Sequence, residues 1–179
     1  MPRITPVTDT ATTPEQAEIF AAIKSKLGVV PNLYRTAAKQ PAVLGALLGL
    51  GDALGKGSFD AKTREAIALA VAGANDCDYC ASAHTAISQS LKVDGAEIEA
   101  HRRGRSADAR LQAILSLAIA ITDKKGFATD ADLAAAREAG LTDADIIEAV
   151  GAVVANIFTN YLNHVAQTEI DFPVVKAAA

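Results

Sequence analysis

The sequence predicts an all-α fold of about eight helices. Alanine, the best helix former and a poor strand former, occurs 39 times in 179 residues, against five phenylalanines, three tyrosines and no tryptophan. Capping residues, prolines and glycines recur at intervals suited to helices. No run of four or more residues alternates between apolar and polar side chains with the two-residue period of a strand. These observations argue against a β-sandwich or a β-barrel.

Helix-start and helix-stop residues give the order of the elements. The first helix has a capping box at its start and a glycine at its end, at Thr13, Gln16 and Gly28. The next helices are expected to begin at Pro31 and Pro41 and then to span residues 60–73, 77–92, 94–103, 106–125 and 129–139. The last helix, capped by Thr142, carries apolar residues at the helical period and ends at Asp171-Phe172-Pro173.

Length and charge restrict the class of protein. A chain of 179 residues fits one domain, so we expect residues 1–179 to form a single domain. A net charge of −4 and an isoelectric point near 5.3 give no support to a nucleic-acid or membrane partner. Residues 1–13 lack the apolar core of a signal peptide, and no run of about 18 uninterrupted apolar residues predicts a membrane span. The sequence therefore predicts a cytoplasmic protein whose cysteines stay reduced unless they are redox-active.

The two cysteines of the chain lie three residues apart, in the sequence Cys77-Asp78-Tyr79-Cys80. On a helix that begins at Cys77, both thiols and His84 share one face, which we expect to meet the core. The opposite face is expected to meet solvent and carries Asp78, Ser82, Thr85, Gln89 and Lys92. Two thiols at this spacing can form a disulfide with little backbone movement. The helix dipole favours Cys77 as the thiol of lower pKa, and His84 can take or supply a proton.

Glu65 lies on the apolar face of the preceding helix, where a carboxylate is costly to bury unless it is paired. The break at residues 74–76 turns the chain back, so we expect Glu65 to approach Cys77 and His84. An environment that raises the pKa of a carboxyl group and lowers the pKa of a nearby thiol is what proton transfer between them requires. Simpler interpretations stay open, because buried cysteines and an inward histidine are also ordinary core residues. Structural zinc usually needs two separated ligand pairs and only one is present, so we expect no metal and no cofactor.

Glu65, Cys77, Cys80 and His84 match the pattern Glu-x11-Cys-x2-Cys-x3-His with every spacing intact. This pattern resembles the alkylhydroperoxidase D-like branch of the carboxymuconolactone decarboxylase family. The similarity covers about residues 31–173 and includes the segments PNLYR, FDAKTREAIALAV and NIFTNYLNHVA, the last two of which resemble peroxidase-related members. The resemblance implies an all-helical homo-oligomer, a trimer or hexamer, that reduces hydroperoxides with electrons from a protein or small dithiol. It also implies that Cys80 attacks the peroxide, Cys77 resolves the product as a disulfide, and Glu65 and His84 relay protons.

One residue departs from the family pattern. Tyr79 stands where alkylhydroperoxidase D has a second histidine, and a tyrosine with an ordinary pKa of about 10 is a poor base at neutral pH. The proton relay is therefore expected to be simpler. The resemblance assigns the attack to Cys80 whereas the helix dipole favours Cys77, and the sequence leaves this conflict open.

Two other functions stay open beside peroxide reduction. One is a non-enzymatic helical oligomer whose cysteine pair is structural or senses the redox state. The other is a decarboxylase-type enzyme of the same family that uses His84 and Glu65 alone.

Two C-terminal segments carry further expectations. Asn156, Asn160, Asn163 and His164 follow one another along the last helix and are expected to hydrogen-bond between helices or to face a subunit interface. The apolar tail, residues 172–179, is expected to pack on a neighbouring subunit.

Overall fold

The structure, a computed structural model, describes residues 1–177, which form nine α-helices, a short 3-10 turn at Asp9–Ala11 and no strand. The helices are α1 (Pro14–Leu27), α2 (Asn32–Ala37), α3 (Pro41–Leu54), α4 (Ala61–Ala74), α5 (Asp78–Ser90), α6 (Gly95–Arg102), α7 (Ala109–Asp123), α8 (Asp130–Glu138) and α9 (Asp143–Ala166). The all-α prediction is confirmed, with nine helices rather than about eight. Residues 178 and 179, which end the predicted domain and the predicted tail contact, lie outside the described residues.

Capping side chains start most of these helices where the sequence predicts them. Thr13, Thr129 and Thr142 each form a full capping box at the starts of α1, α8 and α9. Asp60 and Asp108 accept backbone N–H groups at the starts of α4 and α7. Because the aspartate is the cap, α7 begins at Ala109 and not at the predicted residue 106.

The end of α9 differs from the prediction. Gln167 adopts a left-handed conformation, with φ of 49° and ψ of 53°, and its backbone N–H donates to the Asn163 carbonyl. The helix therefore ends at Ala166, short of the predicted end at Asp171-Phe172-Pro173. The rest of the tail runs without regular structure back over α5.

α4 is the central helix of the fold. Its residues 66–72 are all buried, and it packs against α5, α6, α7 and α9. Four of these seven residues are alanines, whose small side chains let the neighbouring helices approach closely: Ala66, Ala68, Ala70 and Ala72. At Gly73 a Cβ atom would lie 2.1 Å from the Arg102 carbonyl oxygen, so α6 needs a glycine at this crossing. This packing fixes the position of α5, the helix that carries the cysteines.

α9 has a buried face and an exposed apolar face. Val153 belongs to the same buried cluster as Ile67 of α4 and Leu115 of α7. The outer face carries exposed apolar side chains: Ile147, Val150, Val154, Tyr161 and Val165. Within residues 1–177, α9 is the one helix long and apolar enough to cross a membrane by length and composition. A third of its most apolar window is buried inside the fold, and core helices of soluble proteins meet the same criterion.

Candidate active site

The structure brings three of the predicted site residues onto α5 and the fourth beside it. Cys77 is the N-cap of α5, Cys80 lies in its first turn, and His84 follows one turn later. Asp76, with a left-handed φ of 58°, reverses the chain between the two helices. α4 and α5 therefore lie side by side, and Glu65, in the first half of α4, faces α5.

Cys77 and Cys80 form a buried thiol pair. Their Sγ atoms are 2.7 Å apart, and both are free cysteines with 1% and 2% of their surface exposed. The Cys77 thiol donates to Cys80 Sγ, while the backbone N–H of Cys80 donates to Cys77 Sγ at 3.3 Å. The predicted inward orientation of the pair is therefore observed, and the two sulfurs lie within reach of a disulfide bond.

The two thiols have opposite electrostatic surroundings. The hydrogen bond from Cys77 favours negative charge on Cys80 and lowers the pKa of Cys80 to about 6. Burial opposes this change, whereas positive charge on His84 and the amides of Asn163 and Asn160 add to it. The same interaction, together with burial, raises the pKa of Cys77 far above its ordinary range. The hydrogen bond within the pair therefore lowers the pKa of Cys80 and raises that of Cys77, the opposite of the order that the helix dipole favours.

Glu65 and His84 form a hydrogen-bonded ion pair. Glu65 Oε2 and His84 Nδ1 are 2.7 Å apart, and the two side chains are 17% and 20% exposed. Burial opposes charge on the ring, but the Glu65 carboxylate and then Cys80 raise the pKa of His84 above its ordinary value. The carboxylate also fixes the ring orientation with a proton on Nδ1. The expected approach of Glu65 to His84 is observed, whereas no hydrogen bond joins Glu65 to Cys77 among the described residues.

Two asparagines of α9 complete the surroundings of the thiols. Asn163 Nδ2 donates to Cys80 Sγ at 3.3 Å, and Asn75 Nδ2 donates to Asn160 Oδ1 at 2.9 Å. The sequence predicted hydrogen bonds between helices for these asparagines but did not connect them with the cysteines. The sequence feature that could have pointed to this role is the placement of Asn160 and Asn163, three residues apart, on an otherwise apolar helix face.

Tyr79, the residue between the cysteines that departs from the family pattern, has a structural role. Its hydroxyl accepts from the Leu33 backbone N–H at 3.0 Å and donates to Asp171 Oδ1 at 2.8 Å. Its ring meets Phe172 edge-on, with the ring centroids 5.8 Å apart. Burial and the neighbouring carboxylate raise the pKa of Tyr79, so its hydroxyl is not a base at neutral pH. The side chain joins α2, α5 and the tail.

The prediction that solvent covers the outer face of α5 is wrong at Ser82, which is buried, and only partly right at Asp78 and Thr85, which are half-buried. Ser82 is buried because its hydroxyl exchanges hydrogen bonds with the Val175 backbone. Asp78 accepts from the Ala177 backbone N–H and pairs with Lys176. The described part of the tail thus packs on its own chain.

The described residues offer no evident metal cage. Among residues 1–177, no group of three or more His, Cys, Asp and Glu side chains is placed to hold an ion. A cavity of about 430 Å³ lies beside α1 and is lined by Phe20, Lys24 and Arg35 among others, so it is separate from the thiols. The chemistry that the site offers is that of a polarised thiol pair beside a histidine–carboxylate pair.

Residues 41–107, which include all four predicted site residues, match the model of the carboxymuconolactone decarboxylase family. No curated protein sequence matches the chain significantly.

Several solved structures share the fold over nearly the whole chain. An alkylhydroperoxidase AhpD core, an uncharacterized peroxidase-related protein from Ralstonia eutropha JMP134, has a TM-score of 0.85 at 24% identity, covering 95% of this chain and 92% of that one. An uncharacterized peroxidase-related protein from Silicibacter sp. TM1040 has a TM-score of 0.81 at 26% identity, with coverage of 94% and 93%. The debrominase Bmp8, in complex with 2,3,4-tribromopyrrole, has a TM-score of 0.80 at 20% identity, with coverage of 94% and 91%. These likenesses establish the fold.

Proposed function

We propose that the chain is a thiol-dependent peroxidase of the alkylhydroperoxidase D-like branch of the carboxymuconolactone decarboxylase family, whose model matches residues 41–107. The proposal depends chiefly on one observation, the Cys77–Cys80 pair with its sulfurs 2.7 Å apart beside the Glu65–His84 ion pair. The pair combines a thiol of lowered pKa with a second thiol and a proton carrier, which are the groups that peroxide reduction needs.

In the proposed reaction the Cys80 thiolate attacks one oxygen of a hydroperoxide. The S–O bond forms as the O–O bond breaks, and the leaving oxygen takes a proton from His84 to give an alcohol or water. Cys80 is then a sulfenic acid. The Cys77 thiol displaces its hydroxyl group as water, which leaves a Cys77–Cys80 disulfide. An external dithiol reduces this disulfide, is itself oxidised, and returns both thiols. Glu65 positions His84 and keeps the ring protonated for the first step.

We also propose a homo-oligomer, a trimer or hexamer, in the cytoplasm, with residues 1–179 as one domain. The exposed apolar face of α9 supports subunit contacts: Ile147, Val150, Val154, Tyr161 and Val165 follow one stripe of the helix. The likeness to peroxidase-related proteins supports the hydroperoxide substrate, whereas the likeness to a debrominase shows that this fold also serves other substrates.

The test is peroxide consumption by the purified chain with a dithiol reductant. The rate should vanish in Cys80→Ser and fall sharply in Cys77→Ser. In Cys77→Ser, Cys80 can still react once with peroxide, but no second thiol remains to form the disulfide. Ser90→Ala is the matched control, because Ser90 is exposed at the far end of α5 and its hydroxyl donates to the Ile87 carbonyl. Full turnover in Cys80→Ser would refute the proposal.

The two alternatives give different results in the same assay. A redox-sensing or structural pair predicts a reversible disulfide without turnover of peroxide. A decarboxylase-type enzyme predicts activity on a carboxylate substrate that survives replacement of both cysteines and is lost in His84→Ala.

A further inference from the structure

Two buried amides of α9 lie in the surroundings of the thiol pair. Asn160 is fully buried and Asn163 is 4% exposed. Asn163 Nδ2 donates to Cys80 Sγ at 3.3 Å, and Asn160, one turn earlier on α9, accepts from Asn75, two residues before Cys77. Within residues 1–177, Asn160 Nδ2 and Asn163 Oδ1 have no hydrogen-bond partner. Both amides therefore retain unused hydrogen-bonding capacity in the interior.

Buried polar groups without hydrogen-bond partners destabilise a protein core. A buried amide without its full set of hydrogen-bond partners has lost its bonds to water and gained nothing in their place. α9 is otherwise apolar on this side, with Ala152, Val153 and Ala166 buried along it. Leucine at either position would avoid the cost, so the amides point to a role at the thiol.

Asn75 determines which end of the Asn160 amide is available. Asn75 lies at the C-terminal end of α4, in the break before Cys77, and its Nδ2 donates to Asn160 Oδ1 at 2.9 Å. With its oxygen held by this bond, Asn160 keeps its N–H groups free. A neutral N–H donor favours the charged form of a thiol over the neutral form.

We propose that Asn160 and Asn163 form an amide pair that binds the negative charge on Cys80 Sγ, and that Asn75 is the positioning residue for Asn160. The inference rests on the proposed function, in which Cys80 is the attacking thiol. As the thiolate gives its electron pair to the peroxide oxygen, the amide pair holds the sulfur in place, and His84 supplies the proton to the leaving oxygen.

Two ionisable groups act on the Cys80 thiol directly, Cys77 and His84. Around them lie Glu65 on α4, which pairs with His84, and Tyr79 on α5, whose hydroxyl donates to Asp171 in the tail. From α9 the thiol meets amides instead, so neutral substitutions at these asparagines leave every one of these charges in place.

The test is the pH profile of Cys80 alkylation by iodoacetamide, measured on the full chain with both thiols present and assigned by peptide fragmentation. Asn163→Ala should move the midpoint upward by about one to two pH units, the value of a hydrogen bond to a charged group. Alkylation below the midpoint then falls about 10- to 100-fold, while the rate at high pH changes little. Asn160→Ala should move the midpoint in the same direction, and Asn75→Ala by a smaller amount.

Asn156→Ala is the matched control. Asn156 lies on the same helix, but its amide bonds the Ala152 carbonyl one turn earlier. Its profile should equal that of the wild type. Asn163→Asp is a second variant that keeps the side-chain shape if the alanine variant does not fold, and its midpoint should rise because a carboxylate replaces the donor.

Unchanged midpoints in folded Asn160 and Asn163 variants, or an equal change in Asn156→Ala, would overturn the inference. Alkylation uses no peroxide, so the two proposals fail separately. Shifted profiles in a protein that consumes no peroxide would support the amide pair and refute the peroxidase. Peroxide turnover with unshifted profiles would support the peroxidase and refute the amide pair.

Discussion

Replacing Glu65 by glutamine removes the carboxylate that holds His84 in its charged form. The two groups are joined by a 2.7 Å hydrogen bond, and both side chains are about four-fifths buried. A hydrogen bond to a charged partner contributes about 1.5–3 kcal/mol, and one pH unit corresponds to about 1.4 kcal/mol. The pKa of His84 should therefore fall by about one to two pH units in Glu65→Gln. Because charge on His84 helps to keep Cys80 ionised, the pKa of Cys80 should rise.

The measurement is an NMR titration of the histidine ring protons. The chain has three histidines, so the His84 signal can be assigned by its loss in His84→Gln. Glu99→Gln is the control, because Glu99 pairs with Arg103 on the surface of α6. A His84 titration that is unchanged in Glu65→Gln would refute the proposed ion pair.

The same pair predicts a dependence of stability on pH. The pKa of His84 is higher in the folded chain than its ordinary value, so the folded state binds the proton more tightly. The stabilisation is complete below the pKa of the unfolded histidine, and it is lost as the pH rises through the raised pKa of the folded state. The gap in unfolding free energy between wild type and Glu65→Gln should therefore be largest in mild acid and shrink in mild alkali.

Three further substitutions test the surrounding fold. Tyr79→Phe removes the acceptor of the buried Leu33 N–H and should lower the free energy of unfolding in urea by about 1–3 kcal/mol; no loss would contradict the proposed structural role. Glu148→Gln replaces a carboxylate that accepts hydrogen bonds from Ser58 and Phe59 by a neutral amide, which is a weaker acceptor. The substitution should lower the urea midpoint of unfolding at neutral pH. Because these bonds lower the pKa of Glu148, that difference should fade as the pH falls through the lowered pKa, and a constant difference would be inconsistent. Leu115→Ala opens a cavity in a fully buried site and should cost about 2–5 kcal/mol, with a smaller loss arguing that the core collapses around it.

Much of the fold was predictable because its signals are local. Caps such as Thr142 and stops such as Gly28 act within one turn of chain, so most helix boundaries follow from nearby residues. The left-handed Gln167 gives no such signal, because a non-glycine residue in this conformation depends on its surroundings. The predicted end of α9 was wrong for this reason.

The candidate site was predictable in part for the same reason. Glu65, Cys77, Cys80 and His84 lie within a short stretch of two consecutive helices, so helical periodicity places them on facing sides. The bond between Asn75 and Asn160 joins residues 85 positions apart, and that between Ser82 and Val175 spans 93. Contacts of this separation depend on the tertiary packing of α9 and the tail, about which the local pattern carries no information.

The most direct test of the proposed peroxidase is to identify the sulfur that peroxide oxidises. Cys77 and Cys80 lie on one tryptic peptide, residues 65–92, and fragmentation at Asp78 or Tyr79 separates them. After one equivalent of hydroperoxide, Cys77→Ser should carry a trapped sulfenic acid on Cys80, and the wild type should carry the Cys77–Cys80 disulfide. A sulfenic acid on Cys77 in the Cys80→Ser variant, formed as fast as in the wild type, would contradict the assignment of the attack to Cys80. Oxidation of Cys80 no faster than that of a free cysteine would contradict the peroxidase itself.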